Sequence, residues 1–305
     1  MHILITGASG YIGARLGAHL AKQNHTLTLL GSQRVPHMPS PGNHRALAIG
    51  PLESETNLAS LMEGVDAVVH LAGRTQAHHP RSADPELDFF SANAVAVQKL
   101  CDAMRAKNVP RLVHVSSIAA RDPVTPYGRS KREGEQHSLA LGQSAAHTTV
   151  VLRPPMVYGP SSPGPLRHLI RLIKAGVPLP FLAVNNRRSF CAVENLCSAI
   201  ESCIAAHQIG LGPYEVCDDD IVSLPEIVTS LGDGLGRKPI QFKFHPAALS
   251  KMASAISKST AQSLFSDLVL RNSELKQCTG WIPEIGTRIG LTAVGRAEAQ
   301  SASNN

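Results

Sequence analysis

An α/β fold, with a parallel sheet covered by helices on both faces, is the class this sequence predicts. Three observations carry that prediction. Short apolar runs alternate with helical patterns through the first half of the chain. A glycine-rich turn, Thr6-Gly7-Ala8-Ser9-Gly10-Tyr11-Ile12-Gly13, stands between the first apolar run and the first helical pattern. Of 305 residues, 43% are hydrophobic and 17% charged, enough to bury a sizeable core and to exclude a disordered chain.

The elements follow in order. Residues 2–6 read as a short buried strand, and the pattern from Ile12 to Leu20 as the first helix. Thr26–Leu30, Val65–His70 and Leu112–Val115 read as further strands, with helical stretches at about 56–63 and 87–107 between them. After residue 154 the texture changes. Pro154, Pro155, Pro160, Pro163 and Pro165 interrupt the chain, and helices then alternate with short turns up to Trp281. This predicts a main domain over 1–155, with a return segment at 189–217, and a smaller, mainly helical C-terminal substrate domain over 156–305. The small polar residues Gly295–Asn305 are expected to fray.

Composition narrows the function. No stretch approaches the 18 apolar residues of a membrane span, and Met1-His2-Ile3-Leu4-Ile5 lacks the pattern of a secretory leader. Six cysteines with no Cys-x-x-Cys pair suggest reduced thiols and a cytoplasmic location. Twenty-nine Lys plus Arg against 23 Asp plus Glu give a net charge of +6, but the basic residues are scattered. Nucleic acid demands a concentrated basic stripe, so a phosphate-bearing small molecule is the better match.

The glycine turn has a mechanism. Gly7 permits a tight turn, Gly10 lets the backbone approach a pyrophosphate, and Gly13 lets the helix pack on the strand. The helix N-terminus then offers N–H groups and a positive dipole end to the phosphate. A turn of this kind after the first strand and opening a helix predicts a Rossmann doubly wound parallel sheet that binds a dinucleotide.

Downstream, Tyr127-Gly128-Arg129-Ser130-Lys131 is the most informative pentapeptide. Thr125 can cap a helix with Pro126 at its first position. Residues four apart share a helical face, so Tyr127 and Lys131 project together. A free tyrosine has a pKa of about 10, too high for an efficient base, and a nearby ammonium is expected to lower it. Leu112-Val113-His114-Val115-Ser116-Ser117 ends in two hydroxyls where ligands of parallel sheets sit.

Taken together these segments resemble the extended short-chain dehydrogenase/reductase superfamily of NAD(P)-dependent sugar epimerases, dehydratases and reductases. The glycine spacing is Gly-x-x-Gly-x-x-Gly, as in that family. His70-Leu71-Ala72-Gly73 resembles its strand ending against the cofactor, and Asn93 matches its helix asparagine. Leu152-Arg153-Pro154-Pro155-Met156-Val157-Tyr158-Gly159-Pro160 resembles its nicotinamide-side segment, and Arg188–Leu196 its return strand. The resemblance covers roughly residues 1–210. It implies Tyr127 as acid/base, Lys131 as its partner on the nicotinamide ribose, and Ser117 on the substrate oxygen, with Ser116 structural. It implies cofactor contacts from Gly7, Ser9, Gly10, Tyr11, Ile12, Gly13, Ser32, Arg34, Leu52, Leu71, Ala72, Gly73, Tyr127, Lys131 and Pro154. Substrate contacts are implied at Arg74, Asn93, Ser117 and Arg188, the last with its fork on a nucleotide diphosphate. No metal is expected, and a homodimer stays open.

Two departures matter. Only nine residues separate Ser117 from Tyr127, shorter than in many relatives, which bears on the sugar pocket. Ile118-Ala119 stand where the family's dehydratases carry an Asp-Glu pair, which argues against a 4,6-dehydratase. The expected activity is therefore a nucleotide-sugar epimerase or 4-keto-sugar reductase in surface-polysaccharide synthesis. The alternatives are an oxidoreductase for a non-sugar hydroxyl compound and a non-catalytic dinucleotide-binding sensor or assembly protein.

For the cofactor, Thr26–Leu30 runs into Gly31-Ser32-Gln33-Arg34 with no carboxylate until Glu53. An acidic side chain there would hold the ribose of NAD(H); Ser32 and Arg34 suit the 2′-phosphate of NADP(H), which is preferred, with NAD(H) as the alternative. Arg34 could equally point into solvent from its loop. Arg167, Arg171 and Lys174 read as a solvated helix face, or as a contact for an anionic lipid-linked sugar or membrane surface. His78-His79 read as surface residues, and Cys191, Cys197 and Cys203 as core or neutral surface.

Overall fold

The structure is a computed structural model describing residues 1–39, 42–54, 57–75, 82, 84–249, 251 and 265–303. His78 and His79 lie outside the described residues. The chain divides into two compact units: Met1–Pro155 with Leu196–Val216 and Asn272–Ile282, and Met156–Asn195 with Cys217–Arg271 and Pro283–Asn305.

The first unit is a seven-stranded sheet. Its strands are β1 (His2–Thr6), β2 (Thr26–Gly31), β3 (Arg45–Ala48), β4 (Ala67–His70), β5 (Arg111–Val115), β6 (Thr148–Arg153) and β9 (Pro213–Glu215). They lie in the order β3-β2-β1-β4-β5-β6-β9, every pairing parallel. This is the doubly wound order with one strand added, and its direction reverses between β1 and β4, where such sheets open a crevice at their carboxyl ends. The central strands are buried on both faces, which is why they read as continuous apolar runs rather than alternating ones. Helices α1 (Tyr11–Lys22), α3 (Ala96–Lys107) and α4 (Pro126–Gly142) supply the crossovers. A shared core joins Leu4, Leu30, Val68, Leu100, Met104, Leu112 and Leu141. Each such side chain contributes about 1.5–3 kcal/mol on leaving water.

Helix α3 is preceded by α2 (Pro85–Phe90) and a π turn over Ser91–Val95. The extra residue of a π turn shifts the helix face, and such turns cluster at functional sites. It carries Asn93.

The second unit holds a three-stranded sheet, β7 (Met156–Tyr158), β8 (Arg188–Ala192) and β10 (Ile221–Val222), in the order β10-β8-β7. Around it pack α5 (Pro165–Lys174), α7 (Leu224–Gly234) and α9 (Thr287–Ser303). α6 (Val193–Ala205) contains the boundary between units, and α8 (Ser273–Thr279) belongs to the first. No described helix is long and apolar enough to cross a membrane.

Two expectations change. Arg188–Ala192 does not itself return to the main sheet: β8 pairs with β7 and β10, and within the expected return segment 189–217 the returning strand is β9, beyond α6. The helical stretch expected at about 56–63 is present as a short 3-10 helix, Leu58–Met62. Residues 295–303 are helical, not frayed. A Cβ on Gly295 would stand 2.3 Å from Leu231 O, and one on Gly234 2.0 Å from Thr292 O. Glycine at both sites lets α9 lie directly on α7, and that close packing holds the terminal helix.

Candidate active site

The glycine turn caps the carboxyl end of β1. Gly7 has φ +70°, and a Cβ there would stand 2.7 Å from Ala72 N. A Cβ on Gly13 would stand 2.3 Å from Gly7 O. Both positions therefore require glycine. Gly10 is the N-cap of α1 and has no side chain to cap it, so the helix start is open to an anion. Arg15 stacks over the Tyr11 ring at 4.3 Å. Arg34, exposed, donates from Nη2 to Ser9 O at 2.9 Å, which holds its guanidinium on the glycine turn instead of in open solvent. Ser32 is exposed beside it. Leu52, expected at the cofactor, is buried in the core with Leu4 and Leu30 because its short helical turn points it inward.

Opposite the turn, the end of β4 is tied to β1. Leu71 N–H donates to Thr6 O at 3.2 Å and Ala72 N–H to Thr6 Oγ1 at 3.3 Å. A Cβ on Gly73 would stand 2.6 Å from Asn93 Oδ1 and 3.3 Å from Lys131 Nζ, so the backbone here touches both side chains. Asn93, expected on the substrate, is 1% exposed and bonded internally. Its Oδ1 accepts Arg74 N–H at 2.9 Å, and its Nδ2 donates to Arg74 O at 3.1 Å and Ser130 Oγ at 3.0 Å. It clamps the β4 loop to α4, and burial in the π turn is the reason. Arg74 is buried too, its Nη2 4.0 Å from Asp88 Oδ2.

The hydroxyl cluster sits beyond β5. Ile118 N–H donates to Pro154 O at 2.9 Å and Ala119 N–H to Ser117 Oγ at 3.2 Å, shaping the turn that presents Ser117. The Ser117 hydroxyl stands near the Tyr127 phenol and favours its ionised form. Thr125 caps α4 by accepting Gly128 N–H at 3.0 Å, with Pro126 in the first turn, so the local sequence fixes where the helix begins. Phe89 meets the Tyr127 ring edge-on at 5.9 Å.

Lys131, one turn along, is 5% exposed and donates from Nζ to Val115 O at 3.3 Å. Burial pushes it down to about 8, opposed by the Glu135 carboxylate. Glu135 is itself paired with Arg153, whose Nε donates to Oε1 at 2.9 Å while Nη2 donates to Oε2. The expected lowering of Tyr127 by Lys131 is not what the structure shows. Burial raises the phenol above its ordinary value, and the nearby Ser117 hydroxyl only partly offsets it.

Beneath the cluster lie two side chains the sequence reading missed. His70 and His114 are register partners on β4 and β5, fully buried, with ring centroids 5.1 Å apart. His70 Nδ1 bonds Thr6 Oγ1 and His114 Nδ1 bonds Ser138 Oγ, each at 2.8 Å. Burial, then Lys131, pushes His70 down to about 3; burial, His70 and Lys131 push His114 well below its ordinary value. Both Nε2 atoms and Ser116 Oγ are buried without a hydrogen-bond partner. In the sequence, His114 stands inside its apolar run and His70 at the end of its own, and a polar side chain at each is the available clue.

In the second unit, Arg188 is buried and Arg187 exposed. Arg188 Nη1 donates to Ser266 O at 2.7 Å, and burial lowers its pKa. Arg167 and Arg171 are exposed on α5, whereas Lys174 reaches Glu298 Oε2 at 3.4 Å.

Glycine cradle and hydroxyl cluster thus occupy the carboxyl ends of β1 and β5, parallel strands with β4 between them, on either side of the point where the sheet reverses. Doubly wound proteins bind dinucleotides in that crevice, and this defines the class: a dinucleotide-binding α/β protein. More narrowly, the chain belongs to the NAD dependent epimerase/dehydratase family, whose profile matches residues 3–216. It is 26% identical to UDP-glucose 4-epimerase of Vibrio cholerae, over 98% of this chain and 96% of that protein. It is 32% identical to a UDP-2-acetamido-2,6-beta-L-arabino-hexul-4-ose reductase of Pseudomonas aeruginosa, over 52% of this chain and 36% of that one. Its fold matches MoeE5, solved with UDP-glucuronic acid and NAD, with a TM-score of 0.79 at 22% identity, covering 99% of this chain and 100% of that one.

Proposed function

We propose that the protein exchanges hydride at a hydroxyl or ketone carbon of a nucleotide sugar, as a 4-epimerase or 4-keto-sugar reductase, with NADP(H) as preferred cofactor. The observation that carries this reading is the placement of Tyr127 and Lys131 one helical turn apart on α4, with Lys131 bonded to Val115 O at the end of β5, just before the turn that presents Ser117.

Tyr127 is the proton carrier at the substrate oxygen. Its raised pKa keeps the phenol protonated at neutral pH, which suits donation to an oxygen that gains charge. Ser117 holds the same oxygen through its hydroxyl. Lys131, pushed down to about 8, remains mainly an ammonium at pH 7 and stabilises negative charge nearby. Gly7, Gly10 and Gly13 form a cradle that side chains would fill, so these residues fit a dinucleotide pyrophosphate. When bound, its nicotinamide supplies or accepts the hydride. Asn93 acts as a positioning residue, and Arg188 is assigned to the nucleotide diphosphate.

Arg34 on Ser9 O and the absence of a carboxylate at the end of β2 support NADP(H), and with it the reductase. The likeness to a UDP-glucose 4-epimerase over nearly the whole chain supports the epimerase. Ile118 and Ala119, in place of an acid pair, speak against dehydration. All six cysteines are free thiols, which fits a reducing cytoplasm. A role in surface-polysaccharide synthesis goes with the proposed substrate.

Titration with NADPH and NADH, followed by nicotinamide fluorescence, tests the cofactor. NADPH should bind more tightly, and Arg34→Ala should remove the difference. Incubation with a UDP-hexose and with a UDP-4-keto sugar tests the chemistry. An epimerase equilibrates the C4 isomers with no net change in cofactor, whereas a reductase consumes NADPH mole for mole. Neither outcome with any nucleotide sugar would overturn the reading.

A further inference from the structure

The second unit carries a surface that this chemistry does not use. Among the described residues, seven of the fifteen exposed large apolar side chains belong to this unit. Five of them, Val177, Leu182, Ile240, Phe242 and Phe244, fall on two short segments that run side by side. Leu179 N–H donates to Ile240 O at 2.8 Å, Phe242 N–H to Leu179 O at 3.0 Å, and Leu182 N–H to Phe242 O at 3.2 Å. Gln241 turns its amide inward, donating to Pro225 O and Thr229 Oγ1, both at 3.2 Å. Successive side chains of an extended segment point to opposite faces, so Ile240 and Phe242 are directed outward. They are 57% and 44% exposed, and Phe244 is 41% exposed. Phe242 and Phe244 are the two exposed phenylalanines of the chain.

Along the segment 237–245 the charge has one sign, while Glu226 and Asp233 of α7 share a pocket with Leu182 and Gln241, the side chain that turns inward. Arg237, Lys238, Lys243 and His245 are interleaved with or flank the apolar side chains, all exposed, and Arg171 stands exposed on the adjoining helix. In the sequence no Asp or Glu occurs between Glu135 and Glu194, nor between Asp233 and Asp267. Both segments of the ribbon therefore lie in stretches free of carboxylates. Lys174, at the end of α5, is paired with Glu298. Contiguous exposed apolar surface marks an interaction site. Along 237–245, aromatic side chains set between cations, with no acid in the segment, match an anionic and apolar partner, which is what a bilayer containing acidic lipid offers.

We infer that the ribbon formed by 177–182 and 237–245 docks the protein on an anionic membrane surface. Phe242 and Phe244 enter the headgroup region, while Lys238 and Lys243 lie at the lipid phosphates with their stems along the apolar layer. The inference is independent of the catalytic reading, since none of these residues belongs to the site described above.

Sedimentation of the full-length protein with vesicles tests it. Phosphatidylcholine vesicles containing phosphatidylglycerol should capture the protein at least about tenfold more strongly than phosphatidylcholine alone, and added salt should release it. Phe242→Ser/Phe244→Ser and Lys238→Glu/Lys243→Glu should each weaken capture roughly tenfold or more, with circular dichroism and melting unchanged because the side chains are exposed. Absence of capture on the anionic vesicles, or equal capture of both variants and the native chain, would overturn the proposal. So would loss of self-association in the phenylalanine variant without any vesicle binding, which would assign the face to a second copy of this chain.

Discussion

Each unit buries a polar cluster, and the two clusters are finished differently. In the second unit Asp218 is saturated. Its Oδ1 accepts Ala192 N–H at 2.9 Å and Asn195 Nδ2 at 2.7 Å; its Oδ2 accepts Tyr158 Oη at 2.9 Å and Thr287 Oγ1 at 3.0 Å. Burial raises its pKa, and those four bonds pull it back. In the first unit the cluster around Lys131 leaves His70 Nε2, His114 Nε2 and Ser116 Oγ without hydrogen-bond partners. A buried polar atom without a partner costs about 1–3 kcal/mol. A closed network of this kind serves the fold, whereas an open one beside a tyrosine and a lysine has given up stability at the place where chemistry is proposed.

Substitutions should separate the clusters. Tyr127→Phe should lower turnover by about 10²–10⁴-fold with little change in melting or cofactor binding, because only the proton carrier is lost. Near-normal turnover would remove the distinction. Asp218→Ala should do the opposite, costing about 3 kcal/mol in a urea titration by stranding four donors, while the activity of folded protein persists. A variant as stable as the native chain would show that the Asp218 network is dispensable.

The open cluster should also make the protein sensitive to acid. His70 is held neutral, at about 3 in the folded chain against an ordinary value of 6.5, so the unfolded chain binds more protons between those limits. The stability from this histidine is intact above pH 6.5 and is lost as pH falls toward 3. The slope is roughly 1.4 kcal/mol per pH unit for each such histidine, and His114 adds to it in the same direction. Unfolding free energies measured across this range should fall accordingly, and His70→Gln should flatten the curve. At the other end Lys131, at about 8, loses its proton as pH rises. If its ammonium is needed, turnover should decline above that pH by about tenfold per unit, and a profile level to pH 10 would exclude the need.

Much of the first unit was legible because its determinants are local. Alternating runs set the strand and helix order, Thr125 and Pro126 set the start of α4, and the spacing from Tyr127 to Lys131 set their common face. β3 escaped notice because Arg45-Ala46-Leu47-Ala48 is an edge strand with exposed ends and little apolar content. The helical end at 295–303 is not legible locally, because small polar residues read as a frayed tail until α7 is placed against Gly295. Asn93 was assigned to the substrate from its motif alone, and only the fold shows that all three of its bonds are spent on Arg74 and Ser130.

By itself the sequence determined the doubly wound class, the glycine cradle, the helix bearing Tyr127 and Lys131, and the lack of a carboxylate after β2. These depend on residue type and on separations of a few positions, where backbone geometry leaves little freedom. The tertiary structure decided which strand returns to the main sheet, that Leu52 belongs to the core, and that Arg34 rests on Ser9. It also decided the direction in which Tyr127, Lys131, His70 and His114 titrate. Burial dominates each of those shifts, and burial is a property of what the rest of the chain packs around a group, which no local pattern contains.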